Sequence, residues 1–247
     1  MARYSLHGGH NSIVQGANYG NRKEHIMDRQ VKDAVVAKLR ALGHTVYDDT
    51  DEVGITQAQN LNNIVSKTNS HDVDLVVSFH LNSYDTNANA NGVEVLYYDQ
   101  QALSAKIAAQ LSKDIGWSNR GAKERKDLYV LANTKAPAIL IELGFIDNEA
   151  DMSKWNPDKI ANSIVYALTG QSGGTTPPSK KNIIQSGAFS PYETPDVMGA
   201  LTSLKMTANF ILQSDGLTYF ISEPTSDAQL KGMTDYLDRK GWWYEVK

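Results

Sequence analysis

The chain has 247 residues, 41% hydrophobic and 21% charged, with 28 acidic against 24 basic side chains and a formal net charge of −4. That length suits one large domain, or one medium domain with a small one, and the composition excludes wholesale disorder. There is no cysteine, which excludes disulfide scaffolds, Cys-based zinc fingers, iron–sulfur clusters and a thiol nucleophile; nor is there an apolar run of ~20 residues to cross a bilayer, or a dense Lys/Arg cluster to mark a nucleic-acid partner.

Residues 1–7 lack a charged region followed by an apolar one, so no secretory signal is expected. Residues 3–6 fit a short strand. Over 23–42, Met27, Val31, Ala34, Val35, Leu39 and Leu42 fall at helical spacing, with Gly43 as a stop. Residues 45–47 are strand-like. A second helix spans 57–68, with Leu61, Ile64 and Val65 inward. The continuous apolar run of 74–80 predicts a buried strand ending on His80, and 92–98 another. Residues 102–115 are helical. Strands are expected at 128–131 and 138–142, and a last helix at 158–168. The alternation argues a layered α/β domain with a largely parallel sheet.

Residues 171–181, Gln-Ser-Gly-Gly-Thr-Thr-Pro-Pro-Ser-Lys-Lys, read as a linker. It has no apolar periodicity, and its r.m.s. span is roughly 15–20 Å. Beyond it, 182–188 is strand-like and 195–204 helical. Residues 207–213 and 217–222 flank Ser214-Asp215-Gly216, a hairpin signal. Residues 227–240 form a helix capped by Ser226 or Asp227 and stopped at Gly241, and 242–246 a last strand. The order β-α-β-β-α-β predicts one four-stranded sheet with two helices on one face, a ferredoxin-like pattern.

Chemistry concentrates in the N-terminal part, which holds all six histidines. His80 and Glu142 each end an apolar strand, where α/β sheets gather ligands. A carboxylate there is costly to bury without a partner or a purpose. The turn after the first strand reads His7-Gly8-Gly9-His10, and spacing alone does not choose between its two histidines. Glu24 opens the first long helix, where the helix dipole alone would favour it. His25, His44 and His71 read as solvated. A His/Glu/His set without cysteine suits zinc with one position left for water. A further carboxylate can carry the proton to a leaving amine, a contribution of roughly 10²–10⁴ in rate. The set predicts metal-assisted amide hydrolysis.

At this point the N-terminal part, over about 1–170, resembles the zinc-dependent N-acetylmuramoyl-L-alanine amidases of the Amidase_3 type. The resemblance rests on Ser78-Phe79-His80-Leu81-Asn82-Ser83, on Gly92-Val93-Glu94-Val95-Leu96-Tyr97-Tyr98, and on the run from Leu128 to Asn148. It aligns Gly9-His10, Glu24 and His80 with the family's zinc ligands and Glu142 with its catalytic glutamate. It implies a twisted, mainly parallel sheet flanked by helices. It also implies cleavage between the lactyl group of N-acetylmuramic acid and L-alanine, with one Zn²⁺ per catalytic domain. The family's Asp-Pro-Gly-His-Gly-Gly start reads Ser5-Leu6-His7-Gly8-Gly9-His10 here, and Asp48-Asp49-Thr50-Asp51 stands where many members carry an arginine. Asn82, just after His80, is a candidate for orienting a ligand or substrate, with a turn-stabilising role as the alternative.

From about 182 to 247 the chain resembles the wall-targeting domain of endolysins from phages of the Bacillus cereus group. That implies a wall carbohydrate as partner. Trp242, Trp243, Tyr244, Tyr192, Tyr219 and Phe220 are candidates for stacking on sugars, about half of them expected to face the core. The expected organisation is a catalytic domain (1–170), a linker (171–181) and a wall-binding domain (182–247). The expected protein is a phage or prophage lysin, made in the host cytoplasm and acting on the wall after release. A zinc carboxypeptidase or endopeptidase on stem peptides would use the same site. A non-catalytic wall-binding protein and a host autolysin are the remaining readings.

Overall fold

The computed structural model describes residues 1–84, 90–171 and 182–247; most of the expected linker, 172–181, lies outside them. The chain divides into two compact units, Met1–Thr175 and Thr176–Lys247.

The first unit runs β1 (Arg3–Gly8), β2 (Asn18–Tyr19), β3 (Arg22–Lys23), α1 (Glu24–Ala41), β4 (Thr45–Asp48), α2 (Gln57–Asn69), β5 (Leu75–Asn82), β6 (Val93–Tyr97), α3 (Gln101–Ile115), β7 (Asn119–Glu124), α4 (Tyr129–Asn133), β8 (Ala138–Phe145), α5 (Glu149–Met152) and α6 (Pro157–Thr169). Six strands form one sheet in the order β4-β1-β5-β8-β6-β7. β4, β1, β5 and β8 are parallel, and β6 runs against β8. The carboxyl ends of β1, β5 and β8 therefore share one edge, where ligands collect in such sheets.

Strand alternation decides what each face carries. On β5, Val77, Phe79 and Leu81 point into the larger core with α1, α3 and α6. Val76 joins Leu96, Leu140 and the α4 residue Leu131 on the other face. There Val130 of α4 packs on Ile64 and Val65 of α2. His7, Ser78, His80, Leu140, Glu142 and Glu94 have the parity of that second face. Helix α1 buries Val31, Val35 and Leu39 completely, as its spacing predicts.

One local expectation is corrected. Residues 128–131 do not form a strand: α4 begins at Tyr129. One helical turn lets adjacent Val130 and Leu131 reach two different apolar clusters, and this tertiary gain outweighs their β propensity. In addition, β7 is a strand that the pattern does not announce, because Asn-Arg-Gly-Ala-Lys-Glu is a polar edge segment with no alternation.

The second unit contains β9 (Ile184–Ser186), a 3₁₀ turn (Pro191–Glu193), α7 (Thr194–Ser203), β10 (Ala208–Leu212), β11 (Thr218–Ser222), α8 (Asp227–Lys240) and β12 (Tyr244–Val246). Its sheet order is β10-β11-β9-β12, antiparallel at each pairing, which is the ferredoxin-like arrangement. Ile184 and Phe220 on one sheet face pack with Val197, Leu201, Met233 and Leu237 of the two helices. Ser226 caps α8 in a reciprocal capping box with Gln229. Among the described residues no helix is long and apolar enough to cross a membrane.

Candidate active site

Three side chains converge at the carboxyl edge of the first sheet. Glu24 projects from the first position of α1 and is buried. Its Oε1 accepts from the backbone N–H of Leu81 at 3.1 Å and lies 2.9 Å from His80 Nδ1. Its Oε2 accepts from the Ala17 N–H at 2.7 Å and lies 3.6 Å from His10 Nε2. The two imidazoles meet edge to face with centroids 5.1 Å apart. One ligand atom from each of His10, Glu24 and His80 lies within 4.8 Å of the others, so the group could hold a metal ion. Among the described residues, His7 is outside this group.

The local chain is shaped to allow the approach. His10 adopts φ +56°, in the left-handed region that a non-glycine residue enters only at a cost. Arg29 holds that turn: its guanidinium donates to the carbonyls of Gly9 and His10, both at 2.9 Å, and is itself held by Asp28 and Glu52. A methyl at Gly9 would overlap the His80 ring, 2.6 Å from Nδ1 and closer to its neighbours. One at Gly16 would sit 2.5 Å from both Glu24 Oε2 and His10 Cδ2.

Glu142 lies beside His80 in register, and Glu94 is its partner on the far side. Its Oε2 is buried and makes no hydrogen bond. Burial pushes its carboxyl up to about 7, against the pull of His80 and with the support of Glu24 and Glu94. Burial opposes a charge on His80 too, but the Glu24 hydrogen bond wins and raises the imidazole to about 9. Burial likewise pushes Glu24 up, yet its histidine partners leave it below the usual carboxylate range. The His80–Glu24 pair thus shares a proton that a metal ion would displace.

A cleft of about 420 Å³ opens beside these groups, on the α2/α4 face. His7, His10, His80 and Glu142 line it, with Leu61, Ile64, Leu96, Val130 and Leu140 as apolar wall. Arg125 is also at the wall, held by Asp127 in two bonds of 2.8 Å. His7 is fully buried with neither ring nitrogen hydrogen-bonded, and burial lowers it to about 3, so it stays neutral.

Asn82 takes a different position from a cleft residue. Its amide donates to Glu94 at 3.1 Å, and Arg120 holds the other Glu94 oxygen at 2.7 Å. The expectation of solvated histidines is corrected: His25 is buried under residue 15, and His44 and His71 are half-buried. His44 accepts the Ala2 N–H, while His71 stacks on Tyr47 with centroids 3.8 Å apart. Sequence reasoning missed Arg29, whose signal was a charged residue beside the inward stripe of α1.

Residues 6–170 match the model of the family described as N-acetylmuramoyl-L-alanine amidase. This chain belongs to that family. The match agrees with the resemblance read from the sequence. Residues 203–246 match the PlyG cell wall binding domain. The amidase unit is similar to an uncharacterized protein of Clostridium perfringens, 31% identical over 175 residues (67% of this chain, 51% of the relative). It is also similar to "Probable cell wall amidase LytH" of Staphylococcus aureus, 33% identical over 147 residues (58% of this chain, 47% of the relative). The matched segment thus spans about half the length of these two relatives. Among solved structures, the catalytic domain of the CD27L endolysin targeting Clostridia difficile superposes with a TM-score of 0.63 at 27% identity. That match covers 70% of this chain and 99% of the other.

Proposed function

We propose that this amidase cleaves the bond between the lactyl group of N-acetylmuramic acid and L-alanine, as an endolysin whose C-terminal unit holds it on a wall carbohydrate. The observation that carries the reading is the His10–Glu24–His80 group with half-buried Glu142 beside it, at one cleft that His10, His80 and Glu142 line.

His10, Glu24 and His80 are the proposed ligands of Zn²⁺. Two imidazoles and one carboxylate are a zinc donor set. Their spacing within 4.8 Å fits one ion, and Gly9 and Gly16 leave the room that set needs. Zinc bound there supplies a Lewis acid that polarises the scissile carbonyl and acidifies water.

Glu142 is the proposed general base. It takes a proton from the water whose oxygen bonds to the lactyl carbonyl carbon. As the carbon–nitrogen bond breaks, it returns that proton to the alanine nitrogen. The products are a free lactyl carboxylate and a new amino terminus. Burial raises this carboxyl in the metal-free chain, which favours its holding the proton between the two transfers. Asn82 is proposed as a positioning residue, which steers Glu94 beside Glu142. The apolar wall of the cleft receives the stem peptide.

The linker 171–181 is proposed to tether the two units. A wall-bound C-terminal unit then keeps the catalytic site at high local concentration on an insoluble substrate. Mass spectrometry of fragments released from purified walls tests the reaction. New N-terminal alanine with intact muramic acid supports the amidase. Cuts within the peptide would reassign the chain as a stem-peptide carboxypeptidase or endopeptidase.

A further inference from the structure

The second unit presents one face of its sheet to its helices and leaves the other without a helix of its own. Register sorts the aromatic residues between them. Phe220 is completely buried on the helix side. Trp242 lies flat against Phe189, 5.0 Å between centroids, and Tyr244 also packs on that core. These three are structural.

Tyr219 and Trp243 have the opposite parity. Gln185 pairs with Ile221 on one side and with Glu245 on the other. Two residues along, Gly187 stands opposite Trp243, just past the ends of β9 and β12, and the Phe189–Thr218 bridge shifts the β9–β11 register by one residue, so Tyr219 lies opposite 187–188. The Gly187 N–H donates to the Trp243 carbonyl at 2.5 Å, which fixes one side of that row. Neighbouring strands lie ~4.8 Å apart, so the two aromatic residues, on the strands flanking β9, stand ~10 Å apart. Trp243 is 63% exposed.

The adjoining row runs Asn209, Ile221, Gln185 and Glu245, three polar side chains around one isoleucine. Asn209, Gln185 and Glu245 carry planar amide and carboxylate groups on the same face, and Lys247 binds Gln185 at 2.8 Å and Glu245 at 3.4 Å. Lys247 and Glu245 offset each other, so this pair presents no net positive charge to an anionic peptide. Aromatic faces take the C–H faces of a pyranose, and planar donors and acceptors take its hydroxyls.

We propose that Tyr219, Gly187 and Trp243 form a pyranose-binding platform for an accessory wall polysaccharide. The assignment rests on the wall-binding reading of this unit, whose family match includes both aromatic residues. The flat platform favours that polymer over the peptidoglycan strand, where every second sugar carries a peptide that would lift it off the sheet.

The test uses the full chain with purified walls of a Bacillus cereus-group strain, intact or acid-stripped of polysaccharide. Co-sedimentation measures binding, turnover of a soluble muropeptide measures the amidase, and thermal melting measures folding. Trp243→Ala and Tyr219→Ala are each expected to weaken sedimentation roughly tenfold or more, as anchor residues do, with turnover and melting unchanged. Trp243→Phe should stay within threefold of wild type. Tyr192→Ala removes a residue that is 95% exposed on the helical side and should change nothing. Stripped walls should hold no protein. Wild-type sedimentation by both alanine variants would overturn the platform while leaving wall binding intact. Full binding to stripped walls would overturn the choice of polymer. A wild-type chain that turns over muropeptide yet binds no wall would overturn the wall-binding reading, and the platform with it.

Discussion

A single methyl at Gly9 tests how closely the site is built. The added carbon would fall 2.6 Å from His80 Nδ1 and overlap the ring beyond it. Carbon contacts settle near ~3.5 Å, so the ring must retreat by at least ~1 Å. The retreat stretches the 2.9 Å His80–Glu24 contact and splays the three ligands. Catalytic geometry displaced by ~1 Å costs on the order of 10²-fold in rate, and disturbed ligand support costs ~10–100-fold in metal affinity. Gly9→Ala should therefore lose about 10²-fold in zinc affinity, read by competition with a chromophoric chelator, and a similar factor in muropeptide turnover. Gly20→Ala is the control. Gly20 has φ +57° with nothing within 4 Å of the added methyl, so that variant should lose only ~1–2 kcal/mol of stability and keep its zinc. A Gly9→Ala protein that binds zinc at wild-type affinity would refute this packing argument.

Arg29→Ala removes the clamp on the Gly9 and His10 carbonyls; zinc affinity should fall ~10–100-fold, measured by the same competition. Zinc binding should also strengthen with pH up to about 9, because the His80 proton must leave. Without metal, the sign reverses for stability. The folded imidazole near 9 lies above its ordinary 6.5, so the His80–Glu24 contribution is complete below 6.5 and disappears as pH rises through 9. Melting of the metal-free protein across pH 6–10 checks this, and a flat profile would contradict it. Asp151→Ala strips the acceptor from the Gly92 and Phe145 N–H groups, bonded at 2.7 and 3.0 Å. Two buried donors left unpaired should cost ~3 kcal/mol, seen as a fall of roughly 6–12 °C in Tm.

Much of this site is readable in the primary structure because its residues sit where periodicity breaks. His80 and Glu142 close the apolar runs 74–80 and 138–142, and although β5 continues to Asn82 and β8 to Phe145, their place near the sheet edge follows once the strands are parallel. The ferredoxin-like order of the second unit likewise follows from element succession and a strong hairpin turn. The His7/His10 choice was not readable from spacing. Only Gly8 and Gly9 separate them in sequence, but His7 lies within β1 and turns into the α2/α4 face, whereas His10 follows a backbone inversion that spacing does not report. Strand β7 escaped notice because an edge strand need not alternate, and α4 because a four-residue apolar run fits a strand or one helical turn equally well. Arg29 shows itself only as a charged residue beside the inward stripe of α1, and its bonds to the Gly9 and His10 carbonyls, like that of Asp151 to the Gly92 N–H, join groups far apart in sequence that no local pattern pairs.

Glu142→Gln bears most directly on the proposed chemistry, since it keeps the shape of the side chain and removes only its capacity to carry a proton. Zinc content by elemental analysis and the rate of appearance of new N-terminal alanine should be measured on the same preparation. The account predicts one zinc per chain, as in wild type, with the rate down roughly 10²–10⁴-fold. A zinc-loaded Glu142→Gln protein that releases alanine termini at the wild-type rate would contradict it.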